Sequence, residues 1–223
     1  MSTILLIGAS RGIGLELAHQ YSAAGDRVIA TARDDAGLSR LRGLGCHALR
    51  LDVADPASNS SLAWQLDGEK LDAAWYIAGV ICNRADATQP PTQPEFDRVM
   101  HANVLGAMQL IPQVAPTLAD GAPFAFISSQ MGRIASVESS DAWLYRTSKA
   151  ALNMAVAAAQ ASYPGVRMVC FHPGWVQTEM GGAQAPVTPQ ASASGLRATL
   201  AQLPPSPGRA LFMRFEGQTY ESW

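Results

Sequence analysis

Short apolar runs rich in β-branched residues recur along the chain and alternate with longer segments of helical character. A short run that is apolar throughout is typical of a strand buried on both faces of a sheet. The pattern predicts strands at residues 3–7, 27–32, 46–51, 73–77, 123–128 and 166–171, and helices at residues 13–24, 56–66, 94–118 and 145–162.

This alternation of strands and helices determines the expected fold. A strand, a crossover helix and a parallel strand form a right-handed unit, and successive units give an open sheet with helices on both faces. We therefore expect an α/β fold: a Rossmann-like, doubly wound and mostly parallel sheet that forms a single domain over residues 1–223. Ligands of such sheets bind at the carboxyl ends of the strands.

Composition and charge exclude several classes of protein. Hydrophobic residues make up 48% of the 223 residues and charged residues 15%, which fits one large core rather than a disordered chain. The formal net charge is −2 and neither sign forms a run, so we expect no nucleic-acid partner. We also expect no membrane association, because the apolar stretch at residues 4–7 lacks a basic leader and is too short to span a bilayer.

Cysteine and histidine positions bear on the cellular compartment and on metal binding. Cys46, Cys82 and Cys170 are odd in number and far apart, so they fit neither a disulfide framework nor a zinc site. This usage is typical of a reducing compartment, and we expect the protein in the cytoplasm. The four histidines show no metal-ligand spacing, so no metal is expected.

A glycine-rich turn follows the first strand directly and opens a helix. Backbone amides at such a turn can cradle a pyrophosphate at the helix N-terminus. No Lys-Ser/Thr pair follows the last glycine, so the spacing favours a dinucleotide over a nucleoside triphosphate. The alternative is a strand-to-helix turn without a ligand. The position after the first strand favours a cofactor site, with Gly8, Ser10, Arg11, Gly12, Ile13 and Gly14 as its residues.

The end of the second predicted strand bears on the choice of cofactor. An NAD enzyme usually carries an acidic residue there for the ribose 2′-hydroxyl, whereas this chain has Arg33. A guanidinium suits contact with a 2′-phosphate, and Arg11 in the loop could add a second positive charge. The sequence therefore predicts NADP, with NAD the less favoured cofactor. The competing interpretation is that both arginines are ordinary surface charges, with Asp34 and Asp35 weakening the local field.

A tyrosine and a lysine four residues apart form the candidate catalytic pair. On a helix, Tyr145 and Lys149 lie on one face and can serve one site. A free tyrosine has a pKa of about 10, and a neighbouring cation favours the phenolate and lowers that pKa. Taken alone, the pair also fits a solvated helix face.

Two further polar groups support the catalytic interpretation. Ser128 and Ser129 stand at the carboxyl end of the fifth predicted strand, where a hydroxyl can bind a substrate carbonyl oxygen. Ser129 is the preferred candidate, and Ser128 is the alternative if it does more than cap the strand end. The amide of Asn103 could hold a local kink and a water that relays protons to Lys149, or it could be an exposed helical asparagine.

Together these motifs resemble the short-chain dehydrogenase/reductase family across essentially the whole chain. Within that family the chain looks most like the small C-factor/sniffer-type carbonyl reductases. The family's motifs occur here in its order, as Gly8-x-x-x-Gly12-x-Gly14, Leu51-Asp52-Val53, Asn103, Ser128-Ser129, Tyr145-x-x-x-Lys149 and Pro173-Gly174-Trp175-Val176-Gln177-Thr178.

The resemblance implies roles for these residues. The catalytic set would be Asn103, Ser129, Tyr145 and Lys149, in which Tyr145 exchanges the proton and Lys149 also binds the nicotinamide ribose. The resemblance also adds cofactor-binding residues: Asp52 and Val53 at the adenine, Ala78 and Gly79 at the adenosine ribose, and Pro173, Val176 and Thr178 near the nicotinamide. Asp52 could otherwise be a turn cap and Thr178 a loop residue.

One pair of residues departs from the family pattern, and one later segment gives little information about the substrate. Tyr76-Ile77 replaces the family's two asparagines before Ala78-Gly79, which implies different packing there. The segment at residues 179–195 should cover the substrate, and its glycine, alanine and proline content suggests a mobile lid.

The sequence supports an NADP-dependent oxidoreductase that acts on a small carbonyl or alcohol. The alternative is an NADP-binding redox sensor or signalling protein with little turnover, for which the changed residues 76–77 are the only support. Retention of the hydroxyl, phenol and ammonium groups favours the enzyme. The alanine-rich helix at residues 145–162 either packs on its own sheet or also joins two copies in a homo-oligomer.

Overall fold

A single parallel sheet organises the protein. The computed structural model describes residues 1–82, 85–204 and 208–223. Its strands are β1 Thr3–Ile7, β2 Arg27–Ala32, β3 His47–Arg50, β4 Ala73–Tyr76, β5 Pro123–Ile127, β6 Arg167–His172 and β7 Leu211–Arg214. They are all parallel and lie in the order β3-β2-β1-β4-β5-β6-β7, which confirms the predicted doubly wound sheet.

Helices cover both faces of this sheet. They are α1 Gly12–Ala23, α2 Asp35–Gly43, α3 Pro56–Asn59, α4 Leu62–Gln65, α5 Gln93–Met100, α6 Gly106–Val114, α7 Trp143–Gln160 and α8 Pro189–Ala201. One core lies between the sheet and α1, α2 and α8, and a second lies between the sheet and α4, α6 and α7.

The strand sequences explain why two cores form. Alternate residues of a strand point to opposite faces, so Ile4 and Leu6 of β1 enter one core, while Leu5 and Ile7 enter the other. All four side chains are buried. The same requirement on the neighbouring central strands produces the continuous apolar runs seen in the sequence.

The helical segment predicted at residues 94–118 is confirmed, and the local kink expected at Asn103 takes the form of a π-helical turn. The segment divides into α5, a π-helical turn at His101–Leu105, α6 and a short 3₁₀ turn at Ala115–Thr117. In the π turn the Gly106 amide donates to the His101 carbonyl, five residues back. A π turn of this kind inserts an extra residue without ending the helix, so apolar spacing alone does not reveal it.

Three elements are absent from the predicted set. The strand β7 lies at the sheet edge and is only four residues long, so its apolar signal is weak. Helix α2 begins where the Asp34 side chain accepts from the Gly37 amide. Helix α8 begins in the same way, because Thr188 accepts from the Ala191 amide. Both caps are readable as sequence signals for a helix start.

The expectation of a mobile lid at residues 179–195 is also wrong in its second half. From Pro189 onward that segment belongs to α8, which packs against α1. The first half is held by backbone hydrogen bonds from Gln177 to Val187 (2.8 Å) and from Val187 to Trp175 (3.1 Å). Small residues therefore serve close packing here, as where a Cβ on Gly195 would lie 2.6 Å from the Phe215 ring.

The strand order also places the ligand crevice. Successive connections run outward from β1 in one direction as far as β3, and then cross to β4 on the other side. At such a switch point the two following loops diverge and leave an opening between the carboxyl ends of the strands. The glycine-rich turn after β1 and the residues after β4 border this opening.

One buried histidine makes stability depend on pH. His172 ends β6, and burial together with the nearby Arg214 charge lowers its pKa from 6.5 to about 4. Its Nδ1 atom has no hydrogen-bond partner among the described residues. Because the folded pKa is depressed, the unfolded chain binds more protons between these two values, and stability falls as the pH drops through them.

We predict that His172→Gln reduces the acid sensitivity of folding. The wild-type free energy of unfolding should fall by about 3 kcal/mol from this group between pH 6.5 and pH 4, and the variant should lack that fall. Urea unfolding at a series of pH values measures it. His47→Gln, at an exposed position, is the control, and equal pH dependence in all three proteins would contradict the prediction.

Candidate active site

The glycine-rich turn brings the ends of β1 and β4 into close contact. Gly8 has a φ of +86°, and a Cβ there would lie 2.6 Å from the Ala78 Cβ. A Cβ on Gly14 would lie 2.6 Å from the Gly8 carbonyl oxygen. Any side chain at either position would therefore force the turn away from its neighbours. The absence of these side chains leaves a cradle of backbone at the start of α1 that fits a pyrophosphate.

The turn is also fixed to the adjacent strand and to the segment after β6. The Gly8 amide donates to the Thr31 hydroxyl at 3.0 Å, and the Ala9 amide donates to the Thr31 carbonyl at 2.9 Å. A Cβ on Gly12 would lie 3.1 Å from the Thr178 Cγ2 atom. The structure therefore brings Thr178 and Ala78 to the same turn.

Arg33 follows β2 with its side chain 62% exposed at the mouth of this region. The two acidic residues beside it are engaged elsewhere. Asp34 caps α2 through the Gly37 amide at 2.7 Å, and Asp35 forms an ion pair with Arg50. The Arg33 guanidinium lies 4.0 Å from the Asp34 carboxylate, a weak contact, so its donors remain available to an anion.

Two other arginines lie against the glycine-rich turn. The Arg11 guanidinium pairs with Glu179 at 2.5 Å, so its charge is partly compensated. The Arg40 side chain of α2 instead donates to the Ser10 carbonyl at 3.0 Å. Sequence reasoning missed Arg40, although a basic residue on the helix after β2 is a readable signal. The basic side chain that hydrogen-bonds to Ser10 is therefore not one of the two predicted from sequence.

Asp52 and Val53 lie in the turn after β3. The Asp52 carboxylate accepts from the Ala54 amide at 3.0 Å, so this side chain caps its own turn. The Val53 carbonyl accepts from the Asn59 side chain at 2.9 Å. The alternative interpretation of Asp52 as a turn cap thus agrees with the structure, and contact between these residues and an adenine stays a prediction.

Tyr145 and Lys149 are both buried in the first half of α7. The Lys149 ammonium donates to the Ile127 carbonyl at 2.9 Å and lies 5.7 Å from the centre of the Tyr145 ring. Burial lowers the pKa of Lys149 to about 8, with the Cys170 thiol acting in the opposite direction. The pair sits at the carboxyl end of β5, where the sequence places it.

The ionisation of Tyr145 differs from the expectation. Burial raises its pKa to about 12, and a hydrogen bond with the Ser129 side chain partly offsets this rise. The predicted lowering by the Lys149 ammonium is not seen, because desolvation of the phenolate is the largest influence on this pKa and Lys149 is not among the groups that shift it. Tyr145 is protonated at neutral pH and is available as a proton donor.

Asn103 joins this pair from the π-helical turn. Its side-chain amide donates to the Val80 carbonyl and to the Ser148 hydroxyl, both at 2.9 Å, and its carbonyl oxygen accepts from the Val80 amide at 2.8 Å. It is fully buried, so the alternative of an exposed asparagine is wrong. A Cβ on Gly79 would lie 3.1 Å from the Asn103 oxygen and 3.4 Å from the Lys149 ammonium, so these groups converge on Gly79.

The two adjacent serines have different surroundings. The Ser128 hydroxyl donates at 2.6 Å to the side chain of Asn153, a buried residue of α7. Ser129 instead bonds with Tyr145 and accepts from the Met131 amide at 3.1 Å. The geometry therefore favours Ser129 as the group that faces the reacting atoms.

A cavity adjoins the Tyr145 side of the site. It has a volume of about 200 Å³ and is lined by Cys82, Ala85, Gln89, Pro90, Pro91, Thr92, Glu95, Trp143 and Leu144. Cys82 and Leu144 also pack against Tyr145. The lining mixes apolar rings with a few polar groups, as is common in pockets for small organic molecules.

The described residues contain no cluster of histidine, cysteine or acidic side chains that could hold a metal ion. Within the same residues, no helix has both the length and the apolar character needed to cross a membrane.

The glycine-rich turn lies at the switch point, and the buried Ser129, Tyr145 and Lys149 lie beside it. This arrangement is the one expected of a nicotinamide-dependent oxidoreductase. The family model for short chain dehydrogenases matches residues 2–187. The chain therefore belongs to the short-chain dehydrogenase family.

Individual proteins support this assignment over the full length. A 1-hydroxy-2-glutathionyl-2-methyl-3-butene dehydrogenase from Rhodococcus sp. (strain AD45) is 32% identical, with 100% of each chain covered. A short-chain dehydrogenase/reductase from Burkholderia multivorans with bound NADP is 31% identical, covers 100% of this chain and 99% of its own, and superposes with a TM-score of 0.88.

The carbonyl reductase Sniffer of Drosophila melanogaster is 25% identical, with 100% of each chain covered and a TM-score of 0.88. The resemblance to sniffer-type carbonyl reductases is thereby confirmed. The predicted cofactor also agrees with the one bound in the Burkholderia structure.

The contrast between the two serines leads to a prediction. Ser129→Ala should lower turnover by about 10²-fold, because it removes the hydroxyl that we predict to bind the substrate oxygen. Ser128→Ala should lower the free energy of unfolding by about 1 to 2 kcal/mol and leave turnover near wild type, because it leaves the Asn153 oxygen unpaired. Steady-state rates and urea unfolding of both variants measure the contrast, and a reversed pattern would assign catalysis to Ser128.

Proposed function

We propose that the protein is an NADP-dependent reductase of small aldehydes or ketones, with Tyr145 as its proton donor. The observation that carries the proposal is the buried phenol of Tyr145, protonated at neutral pH and hydrogen-bonded to Ser129. A carbonyl that gains a hydride needs a proton at its oxygen, and a tyrosine with a pKa of about 12 holds that proton until the oxygen becomes basic.

NADPH, when bound, supplies the hydride. We propose that the backbone of Gly8, Ser10, Arg11, Gly12, Ile13 and Gly14 holds its pyrophosphate, with Arg33 and Arg40 at the 2′-phosphate. Asp52 and Val53 would border the adenine, Ala78 and Gly79 the adenosine ribose, and Pro173, Val176 and Thr178 the nicotinamide. The glycine cradle and the exposed guanidinium of Arg33 support this assignment.

The catalytic roles follow from the contacts of the four side chains. Ser129 would hold the substrate oxygen beside the Tyr145 hydroxyl, and Tyr145 would give its proton to that oxygen. Lys149, an ammonium fixed by the Ile127 carbonyl, would hold the nicotinamide ribose and stabilise the phenolate that remains. Asn103 would complete the path by which the proton is replaced.

We propose that the substrate carbon chain occupies the cavity lined by Cys82, Trp143 and Leu144, since this cavity adjoins Tyr145. Its volume of about 200 Å³ limits the part of a substrate that it can hold to a small group. The Rhodococcus relative is named for oxidation of a glutathionyl alcohol. Residues that reduce a carbonyl with NADPH can also oxidise the corresponding alcohol with NADP. A thioether-bearing hydroxy or carbonyl compound therefore belongs in any substrate panel.

Domain organisation, cellular location and oligomeric state are also proposals. Residues 1–223 would act as one cofactor-binding domain, because β7 completes the sheet beyond the part matched by the family model. Buried free cysteines fit a cytoplasmic location. Helix α7 packs its buried face on its own sheet through Leu152 and Val156, and a homo-oligomer stays a prediction.

The first test is a fluorescence titration with NADPH and NADH, followed by addition of small aldehydes, ketones and diketones. Tight NADPH binding with carbonyl-dependent oxidation is the expected result. Tight binding without turnover on any compound would favour the sensor alternative, and failure to bind either nucleotide would overturn both.

The acid role of Tyr145 gives a direct prediction. Tyr145→Phe should lower turnover by about 10²- to 10⁴-fold while the Kd for NADPH stays near wild type, because only the proton donor is lost. Stopped-flow rates and nucleotide titration measure the two quantities. Tyr163→Phe, at a residue just beyond α7, is the matched control, and an active Tyr145→Phe enzyme would exclude the acid role.

The role of Arg33 in cofactor selection gives a second prediction. Arg33→Ala should raise the Kd for NADPH by about tenfold and leave the Kd for NADH nearly unchanged, because only NADPH carries the 2′-phosphate. Arg42→Ala removes one exposed charge from α2 and serves as the control for a general charge effect. Equal weakening of both nucleotides by Arg33→Ala would place this arginine away from the phosphate.

A further inference from the structure

Tyr76 stands where the family usually has an asparagine, and its hydroxyl has a defined hydrogen-bond partner. Tyr76 is the last residue of β4 and is fully buried between Ile7 of β1 and Phe126 of β5. Its hydroxyl donates to the Ala102 carbonyl at 2.7 Å. Burial raises the pKa of this phenol well above its usual range, so the hydroxyl remains a donor at every physiological pH.

The acceptor belongs to the π-helical turn that carries Asn103. A π turn widens the helix, and its backbone groups commonly recruit partners from outside the helix. The Ala102 carbonyl immediately precedes Asn103, and both residues are buried. A partner that holds this carbonyl therefore also limits the rotation of the Asn103 backbone.

The beginning of α6 is shaped to admit the phenol. A Cβ on Gly106 would lie 2.6 Å from the Tyr76 hydroxyl and 2.5 Å from the Val53 carbonyl oxygen. Gly106 is the residue that closes the π turn through the His101 carbonyl. The absence of a side chain there leaves the space that the Tyr76 hydroxyl occupies.

β4 and the residues that follow it thus hold the π turn at two points. Tyr76 binds the Ala102 carbonyl, and four residues later Val80 exchanges two hydrogen bonds with the Asn103 side chain, at 2.8 and 2.9 Å. Between these points lies Gly79, on which the Asn103 oxygen and the Lys149 ammonium converge. Residues 76–80 therefore hold both the backbone next to Asn103 and the Asn103 side chain.

From this arrangement we propose that Tyr76 is a positioning residue, which fixes the π-helical turn so that the Asn103 amide faces Val80, Ser148 and the Lys149 ammonium. It touches neither substrate nor cofactor and acts through Asn103. The proposal rests on the proposed function, because it assigns Asn103 a part in turnover. It also gives the departure from the family pattern a structural role, since the tyrosine hydroxyl supplies a hydrogen bond between the sheet and the helix layer.

The test compares Tyr76→Phe with Tyr21→Phe. Both remove one hydroxyl from a buried tyrosine, and the Tyr21 hydroxyl accepts from the Trp75 indole at 3.2 Å, on the other face of the sheet. We expect Tyr76→Phe to lower kcat about fivefold, with KM and the Kd for NADPH unchanged, and Tyr21→Phe to leave kcat at the wild-type value. Both variants should lose thermal stability.

A double-variant cycle separates positioning from a general loss of stability. If Tyr76 acts through Asn103, Tyr76→Phe should have little further effect on kcat in an Asn103→Ala background. Losses that multiply in the double variant, or a wild-type kcat for Tyr76→Phe, would overturn the proposal. Each outcome leaves the assignment of the reductase activity intact, because the wild-type enzyme establishes that activity separately.

A second measurement does not depend on turnover. Amide hydrogen exchange at Val80, whose amide donates to Asn103, should be about fivefold faster in Tyr76→Phe than in the wild type and in Tyr21→Phe. If the wild type turns over no carbonyl, the proposed function fails, and this exchange rate alone decides the positioning role. Unchanged exchange would overturn it. If Tyr76→Phe is not folded at the assay temperature, the same readouts are taken at a lower temperature, where its folded fraction is larger.

Discussion

The close approach of β1 and β4 at their carboxyl ends is the constraint on which the site depends. Gly8 touches Ala78 at a distance that permits no side chain, so the turn after β1 and the residues after β4 share one surface. Two adjacent parallel strands do not by themselves bring their following loops together. The missing Cβ does so, because it lets the turn that opens α1 lie directly against Ala78.

The groups proposed for catalysis are placed relative to that same surface by two helical segments. Helix α7 begins at Trp143 and carries Tyr145 and Lys149, and the π turn before α6 carries Asn103. Ser148 joins them, since its hydroxyl binds both the Asn103 amide and the Tyr145 carbonyl. The result is a polar network in which most groups have partners within an otherwise apolar interior, and such a network tolerates little displacement of any member.

Much of this arrangement was accessible from the sequence, for physical reasons. Strands buried on both faces require continuous apolar runs, so six of the seven were predicted, while the short edge strand β7 was not. The glycine spacing and the Tyr145–Lys149 spacing follow from covalent and helical geometry. The π turn, the contact of Arg40 with Ser10 and the partner of Ser128 depend on side-chain packing between distant segments. The pKa of Tyr145 was misjudged because burial, which the sequence does not report, is the largest influence on it.

The burial of the Lys149 ammonium lowers the stability of the folded protein when no cofactor is bound. An ammonium 3% exposed, held by one carbonyl and surrounded by β5, β6 and α7, is less favourable there than in water, as its lowered pKa records. An apolar residue of similar size would suit the interior better. Selection for thermal stability would therefore favour an apolar residue at position 149, whereas selection for turnover would keep the lysine.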